Sequence, residues 1–493
     1  MPKLTKKAAA QLREHLTGQE HGRLVDLLMT EVERNAALKD QLLLEMAQTG
    51  GPLDLAQFRR SFSDALRSKS AAGGSRSCPR TSGAWAHEVH GAIERIRSLL
   101  AAGQVEAVIE LTEYALGRVD KAMSTLDDSS GYFSMIVSDL EQLHHDACVI
   151  VRPDPVALAR RLFAFDVDGE WDILIDSVER YADVLGDDGI AEMRRLAEAR
   201  WADMPDRAPG AEFDSTPGRF HLERMMEKLA IHDGDVDARV AVMARDLSHA
   251  YDFLEIAEVL VEAGRHDDAL EWAQRGLIAF ADDERGPDLR LDDFVLSAYL
   301  ERGQIDDLVA LVWRRFEQRS TAMNYGRLRL WSKQVHRWDE LRPRALDRLR
   351  ADAERSASSA RSARAVAERR WGYAAPPPSP YQTLIEVLLH DDAVEEAWSL
   401  AVEHGCNQAL WMALAKAREQ EYPLDAVAVY QREVEQLVDR KQTRTYEAAV
   451  ELIGHIVGLL RSAGGDPDTY VAEVRHRHRP KTKFLGLLAS AGL

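Results

Sequence analysis

LVEAGRHDDALEWAQRGL (residues 260–277) and YLERGQIDDLVALVWRRF (residues 299–316) are two copies of one sequence pattern. Aligned without gaps, they place Gly264 opposite Gly303, and an Asp-Asp pair follows each glycine at the same distance. Each copy runs as apolar helix, short glycine turn, acidic first turn and second helix. A single helix pair cannot bury its apolar face alone, so pairs that recur with a period in the thirties stack on their neighbours.

The same pattern extends beyond these two segments. Variants of it lie at residues 388–405 and 418–437, and apolar residues recur at helical spacing through most of the chain. Alternation typical of strands is scarce. The sequence therefore predicts an all-α fold, an α-solenoid of stacked antiparallel helix pairs that is tetratricopeptide- or HEAT-like, although none of the copies has the full tetratricopeptide consensus.

Composition limits the classes of function. The 493-residue chain has a formal net charge of −19, which argues against general coating of nucleic acid, since that needs many Lys and Arg contacts to phosphates. Its three cysteines, Cys78, Cys148 and Cys406, are far apart and form neither a disulfide framework nor a zinc motif. No apolar run is long enough to span a membrane. We expect a cytoplasmic protein without cofactor or metal.

Segments rich in proline, glycine and serine divide the chain. Residues 67–83 read as a flexible loop, and prolines cluster at 202–218 and at 374–380. These boundaries predict an N-terminal helical domain (1–205), a helical-repeat region that ends in an Arg-rich helix (218–373), and C-terminal helical repeats with a basic capping segment (381–493).

Two kinds of residue resemble chemical sites. The pairs Asp267-Asp268, Asp306-Asp307 and Asp391-Asp392 resemble paired carboxylates, but the first two follow the turn glycine, where acids cap the next helix. His87 and His90 suggest the HExxH zinc motif, yet they are three residues apart instead of four, and no further ligand is evident. We favour a structural role for both kinds.

Residues 125–140, TLDDSSGYFSMIVSDL, hold the main polar cluster. Its candidate site residues are Asp127, Asp128, Ser129 and Gly131. One interpretation is a helix start capped by Asp128 or Ser129, and the other is a small polar pocket in which Gly131 lets the backbone come close.

The C-terminal stretch RHRHRPKTKF is basic in an acidic chain. Its candidate contacts to an anion or a partner are Arg475, Arg477, Arg479, Lys481 and Lys483. Apolar residues flank it on both sides, so we interpret it first as the polar cap that a solenoid needs, with an anionic contact on its outer face as the alternative.

Two parts of the chain resemble known families. LVDLLMTEVERNAALKDQLLLEMA (24–47) and AIERIRSLLAAGQVEAVIELTEYALGRVDKAMSTLDDSSGYFSMIVSDLEQL (92–143) are similar to the uncharacterised bacterial helical family DUF6880. YPLDAVAVYQREVEQLVDRKQTRTYEAAVELIGHIVGLL (422–460) and YVAEVRHRHRPKTKFLGLL (470–488) resemble the C-terminal helical region of bacterial SWIM zinc-finger proteins, whose CxC and CxH zinc motif is absent here. The resemblance implies a bacterial helical-repeat protein and supplies no reaction.

Three functions are compatible with these features. The first is a non-enzymatic scaffold that binds another protein, with a basic partner segment favoured by the acidic surface. The alternative is a nucleic-acid-associated accessory protein that contacts phosphates through the Arg-rich helix (Arg344 to Arg370) and the C-terminal basic cluster. The third is an enzyme built around Asp127, Asp128 and Ser129. Partner identity and oligomeric state do not follow from the sequence.

Overall fold

The computed structural model describes residues 6–34, 38–39, 42, 46, 54–67, 79–123, 131–169, 173–174, 176–212, 216, 218–281, 288–371 and 379–493. Regular structure in these ranges is helical, apart from one isolated bridge between Arg207 and Asp246. The all-α prediction is therefore confirmed. The chain divides into two compact units, Met1–Phe294 and Val295–Leu493.

The described part of the first unit consists of helices joined mostly by short turns. In chain order they are α1 (Lys6–Thr17), α2 (His21–Arg34), α3 (Leu55–Leu66), α4 (Pro79–Ala101), α5 (Val105–Met123), α6 (Tyr132–Val151), α7 (Pro155–Val167), α8 (Ser177–Trp201), α9 (Arg219–Asp233), α10 (Val236–Met243), α11 (Ala250–Glu262), α12 (His266–Ala279) and the start of α13 (Leu289–Glu301). A continuous apolar core runs from α3 to α9 and includes Val89, Leu116, Leu140 and Leu158, all fully buried.

The second unit continues the same construction. Its helices are the end of α13, α14 (Ile305–Gln318), α15 (Ala322–Gln334), α16 (Trp338–Trp371), α17 (Gln382–His390), α18 (Val394–His404), α19 (Gln408–Arg418), α20 (Pro423–Asp439), α21 (Thr443–Ser462), α22 (Pro467–Arg477) and α23 (Thr482–Ser490). One apolar cluster joins α19 to α23 around Val434, Ile453 and Phe484. Each unit is thus built from helix pairs that bury apolar faces against their neighbours.

One turn geometry recurs between the two helices of a pair. After α11, Gly264 has φ +75°, and the next amide, that of Arg265, donates to the Leu260 carbonyl at 2.8 Å. After α13, Gly303 has φ +68°, and the amide of Gln304 donates to the Tyr299 carbonyl at 2.9 Å. Left-handed backbone is reached most readily by glycine, so the two aligned glycines mark a common helix end. The same positive φ occurs at the corresponding turn residues Gly103, Gly234, His336, Asp392 and Gly464.

Acidic residues after the turns join successive helix pairs. Asp267 and Asp268 lie in the first turn of α12, and Asp306 and Asp307 in the first turn of α14. Arg337, at the turn before α16, reaches back to Asp306 at 3.2 Å. These positions fit the role of acidic residues at a helix start. Exposed ion pairs such as Arg337–Asp306 each contribute little to stability, so their main effect is to orient successive helix pairs.

The third acidic pair lies elsewhere in its helix pair. Asp391 follows the last residue of α17, and Asp392 occupies the left-handed turn position. Asp391 does not open a helix: its side chain is 3% exposed and lies between Arg342 and Arg329. The sequence had already set this pair apart from the two that follow a turn glycine, and in the structure Asp392 itself takes the place of that glycine.

Two local features bear on helix starts and boundaries. Asp154 accepts a hydrogen bond from the Ala157 amide at 2.7 Å and Pro155 opens α7, and residues of these two types favour a helix start. Residues 202–218 fall inside the first unit, where the Arg207 amide donates to the Arg245 carbonyl at 2.7 Å. The three-part division of the chain stays a prediction.

Candidate functional site

The C-terminal basic cluster spans the end of α22, a short turn and the start of α23. Val474, His478, Phe484 and Leu488 of this segment are buried, and the His478 ring meets the Phe484 ring edge-on at 5.5 Å. Four of the five predicted contact residues are exposed on the outer side of this packed segment, and Lys481 is half-buried.

Most of these cations already have partners within the second unit. Arg477 pairs with Glu435 at 2.7 Å, and Lys481 pairs with Asp439 at 2.8 Å. Lys483 donates to Thr443 at 2.7 Å, and Arg475 donates to the carbonyl oxygen of Leu493. Arg479 is exposed. Internal pairing reduces the positive charge that this surface offers to an anion.

The polar cluster predicted at 127–131 lies mostly outside the described residues. Asp127, Asp128 and Ser129 are not described. Gly131 occupies the N-cap position of α6 with φ +70°, and among the described residues no side chain donates or accepts a capping hydrogen bond at that helix start. The pocket and cap interpretations of the cluster both remain predictions.

The Arg-rich helix α16 carries matched charges where its side chains are described. Arg348 pairs with Asp352 at 3.1 Å, Arg350 pairs with Glu396 at 2.7 Å, and the Arg344 guanidinium lies 4.4 Å from the centre of the Trp313 ring. The first of these pairs lies within α16, and the other two contacts attach α16 to α18 and α14.

A buried polar network in the first unit was not foreseen from the sequence. The Nδ1 atom of His144 lies 2.7 Å from the Tyr181 hydroxyl, and its Nε2 atom lies 3.4 Å from a carboxylate oxygen of Glu113. Arg161 donates to the same Glu113 oxygen at 2.7 Å, and Cys148 lies 3.8 Å from the ring. In the sequence, the adjacent histidines His144 and His145 indicated only that their two rings point to different sides of a helix. They did not indicate the partners of either ring.

The environment of this network sets its chemistry. Burial, together with the Glu113 charge, raises the pKa of Cys148 to about 12, so the sulfur is a thiol and not the nucleophilic thiolate. Burial also raises the pKa of Tyr181. Cys148, Tyr181 and His144 are each at most 1% exposed, so the network organises the core and offers no reactive group to a substrate.

An open groove lies between α9 and α11 and is closed on one side by α10. It encloses about 370 Å³. Its carboxylates are Glu223, Glu227, Asp246, Asp252 and Glu255. Phe220, 57% exposed, borders the groove on α9. We call this site the acidic groove.

Not all of these carboxylates are compensated. Glu223 pairs with Arg219 at 2.7 Å, and Glu227 pairs with Arg239 at 2.9 Å. Burial raises the pKa of Glu255, repulsion from Asp252, Glu227 and a further glutamate raises it more, and a hydrogen bond from Tyr251 opposes this rise only in part. Among the described residues, none of the groups that act on Glu255 is a cation, in contrast to Glu223 and Glu227.

The sequence contained only part of the signal for this groove. Glu223 and Glu227 are four residues apart on α9, and Asp252 and Glu255 are three apart on α11, so each pair shares one helix face. That the two faces meet depends on how successive helix pairs stack.

Neither a metal site nor a membrane span is found in the described ranges. Groups of three or more His, Cys, Asp or Glu side chains able to hold a metal ion do not occur there. His90 instead lies 3.3 Å from Asp139 on α6. None of the described helices combines the length and the apolar character that a bilayer crossing requires.

Stacked helix pairs with a groove between the first helices of successive pairs define a helical-repeat protein. The chain belongs to the DUF6880 family, a family of unknown function whose model matches residues 13–364. No curated protein matches it.

Solved structures of repeat proteins are similar over most of the chain but superpose poorly. A circular tandem repeat protein with novel repeat topology and enhanced subunit contact surfaces is 15% identical, with 92% of this chain and 95% of that one covered and a TM-score of 0.15. Yeast Tom70 is 14% identical, with 90% and 97% covered and a TM-score of 0.20.

Proposed function

We propose that this protein is a helical-repeat scaffold that binds a basic segment of another protein in the acidic groove. The observation that carries the proposal is Glu255, a half-buried carboxylate surrounded by other carboxylates in an open groove. A Lys or Arg side chain from a partner supplies the missing positive charge at that point.

Phe220 adds a second element of recognition. Its ring is 57% exposed at the border of the groove, where a guanidinium paired with Glu255 stacks on an aromatic face. Aromatic rings next to carboxylates favour arginine over lysine, because the planar guanidinium both stacks and hydrogen-bonds. We therefore expect a partner segment that contains arginine.

Direct binding to peptides tests this proposal. Fluorescein-labelled peptides that combine Arg with Leu are titrated with the full chain, and peptides with Glu in place of each Arg serve as the comparison. We expect the Arg peptides to bind and their affinity to fall as salt is raised.

Substitutions locate the binding. Glu255→Lys is expected to weaken Arg-peptide binding by at least about tenfold, because it places a cation where the ligand's cation belongs. Phe220→Ala is expected to weaken it by about two- to fivefold through the lost stacking. The matched control Glu271→Lys, an exposed site on α12, should leave the affinity unchanged. Equal binding by wild type and Glu255→Lys would contradict the proposal.

The proposal also covers the compartment, the origin and the kinship of the protein. We place it in the cytoplasm, which the free thiols of Cys148 and Cys406 support. We attribute a bacterial origin and a kinship with the helical region of SWIM zinc-finger proteins to the chain on the residue patterns at 24–47, 92–143, 422–460 and 470–488.

A further inference from the structure

A second groove, in the second unit, has a different character. It lies between α15 and α17, the first helices of two successive pairs, and encloses about 380 Å³. Its apolar wall includes Leu330, which is 57% exposed, and the open backbone of Gly326. A side-chain carbon added at Gly326 would meet nothing within 4 Å. The groove therefore has room for a large apolar side chain.

The border of this groove is positively charged. Lys333, at the end of α15, is exposed and has no ion-pair partner in the described part of the chain. Arg329 is held in place because it donates to the His390 carbonyl at 3.0 Å and lies 3.4 Å from Asp391. Arg342 also pairs with Asp391, at 2.6 Å. Of the two side-chain cations that line the groove, Arg329 is thus compensated by Asp391 and Lys333 is not, which leaves positive charge at the border.

Helix ends alone do not account for this arrangement. Lys333 and His390 lie in the last turns of α15 and α17, where cations complement the negative end of the helix dipole. That role does not explain why Leu330 is more than half exposed in the same groove. A ligand that is apolar in the middle and acidic at its end accounts for both the exposed leucine and the positive border.

We propose that the groove between α15 and α17 binds an acidic segment of a partner protein. An apolar side chain of that segment lies over Gly326 against Leu330, and a neighbouring Asp or Glu side chain pairs with Lys333 and Arg329. The charge preference is opposite to that of the acidic groove, so the two sites are independent and take different ligands.

Peptide titration of the full chain tests the proposal. Fluorescein-labelled peptides in which one Leu or Phe is flanked by Glu and Asp are expected to bind. The same peptides with Lys at each acidic position are expected not to compete for this site. Binding of neither set, or equal competition by the Lys peptides, would overturn the proposal.

Gly326→Leu fills the groove at an exposed helical position that tolerates a side chain. We expect it to weaken acidic-peptide binding by at least about tenfold and to leave the thermal midpoint no lower than that of wild type. Gly458→Leu makes the same change at an open, exposed position on α21 and should leave binding unchanged. Unaltered affinity in Gly326→Leu would refute the location.

Charge is tested separately. Lys333→Glu should weaken acidic-peptide binding by at least about tenfold, whereas Lys416→Glu, exposed on α19, should not. Glu255→Lys must not change acidic-peptide binding, and Gly326→Leu must not change Arg-peptide binding. Failure of one groove is thereby distinguished from failure of the other.

Discussion

Asp391 shows how one residue joins three helices of the second unit. One of its carboxylate oxygens accepts from Arg342 at 2.6 Å and from the Tyr325 hydroxyl at 2.7 Å, and the other lies 3.4 Å from Arg329. Tyr325, Arg342 and Asp391 come from α15, α16 and the end of α17. A buried carboxylate with several donors is costly to remove, because its partners then lose their compensating charge.

Asp391→Ala is therefore expected to destabilise the second unit by about 2–4 kcal/mol, since Arg342 and Tyr325 lose their shared acceptor. Urea unfolding followed by circular dichroism measures the change. Asp392→Asn, one residue further on and exposed, keeps the left-handed turn and should stay within about 0.5 kcal/mol of wild type. Equal effects of the two substitutions would contradict this account.

Gly276 has a packing role within α12. A side-chain carbon built there would lie 2.7 Å from the Phe253 side chain on α11 and 2.9 Å from that of Leu291 on α13. We expect Gly276→Ala to cost about 1–3 kcal/mol through overpacking, although alanine favours a helix. Gly458 lies at an open position, so Gly458→Ala should change stability only through the higher helix propensity of alanine, and the thermal midpoint should not fall. A rise of the midpoint in both variants would show that the close packing at Gly276 is unimportant.

At the scale of elements, the repeated turn decides where each helix ends. Its left-handed residue is a glycine after α11 and α13, and a histidine, His336 with φ +55°, after α15. An L-residue with a side chain pays about 1–2 kcal/mol for that conformation.

His336→Gly is accordingly expected to stabilise the protein by about 0.5–1 kcal/mol, and Gly303→Ala to destabilise it by about 1–2 kcal/mol. Thermal unfolding of the two variants measures both changes. A gain in stability for Gly303→Ala would show that the φ of +68° at this turn does not govern the helix end.

These elements were largely predictable from the sequence. The glycine, the acidic first turn and the helical spacing each act over a few residues, so the pattern at 260–277 and 299–316 gave helix, turn and helix correctly. The buried position of Asp391 was not predicted, because its turn uses Asp392 instead of glycine. Its partner Arg342 lies 49 residues away, beyond the reach of a local pattern.

At the scale of the whole molecule, buried carboxyl groups link the stability of the first unit to pH. Burial raises the pKa of Glu141 to about 7, and nearby Asp166 and Asp176 add to the effect against the opposing charge of Arg180. The group prefers to be protonated in the folded state, so its contribution is complete below the unfolded pKa of about 4.3 and is lost as pH rises through 7.

Glu141→Gln keeps the neutral form at every pH. We expect the substitution to leave the free energy of unfolding nearly unchanged at about pH 4 and to raise it by about 1–3 kcal/mol at about pH 8, because the charged form no longer has to be buried. Urea unfolding at the two pH values measures the difference.

Glu113→Gln is the control of opposite sign. Burial acts to raise the pKa of Glu113, but the hydrogen bond from His144 and the charge of Arg161 outweigh it and lower that pKa. This contribution is present above the unfolded pKa and is lost as pH falls, so the variant should be destabilised more at about pH 8 than at about pH 4. The same pH trend in both variants would contradict the two assignments.

The sequence by itself determined the helices, their turns, the repeat and the acidic balance, because these depend on neighbours within one or two turns of chain. Only the tertiary structure decided which faces meet. Glu227 of α9 lies near Glu255 of α11, and Lys481 of the basic tail pairs with Asp439 of α20, through stacking of helix pairs. Helical spacing tells which residues share a face, whereas the partner of that face is set by packing between elements far apart in the chain.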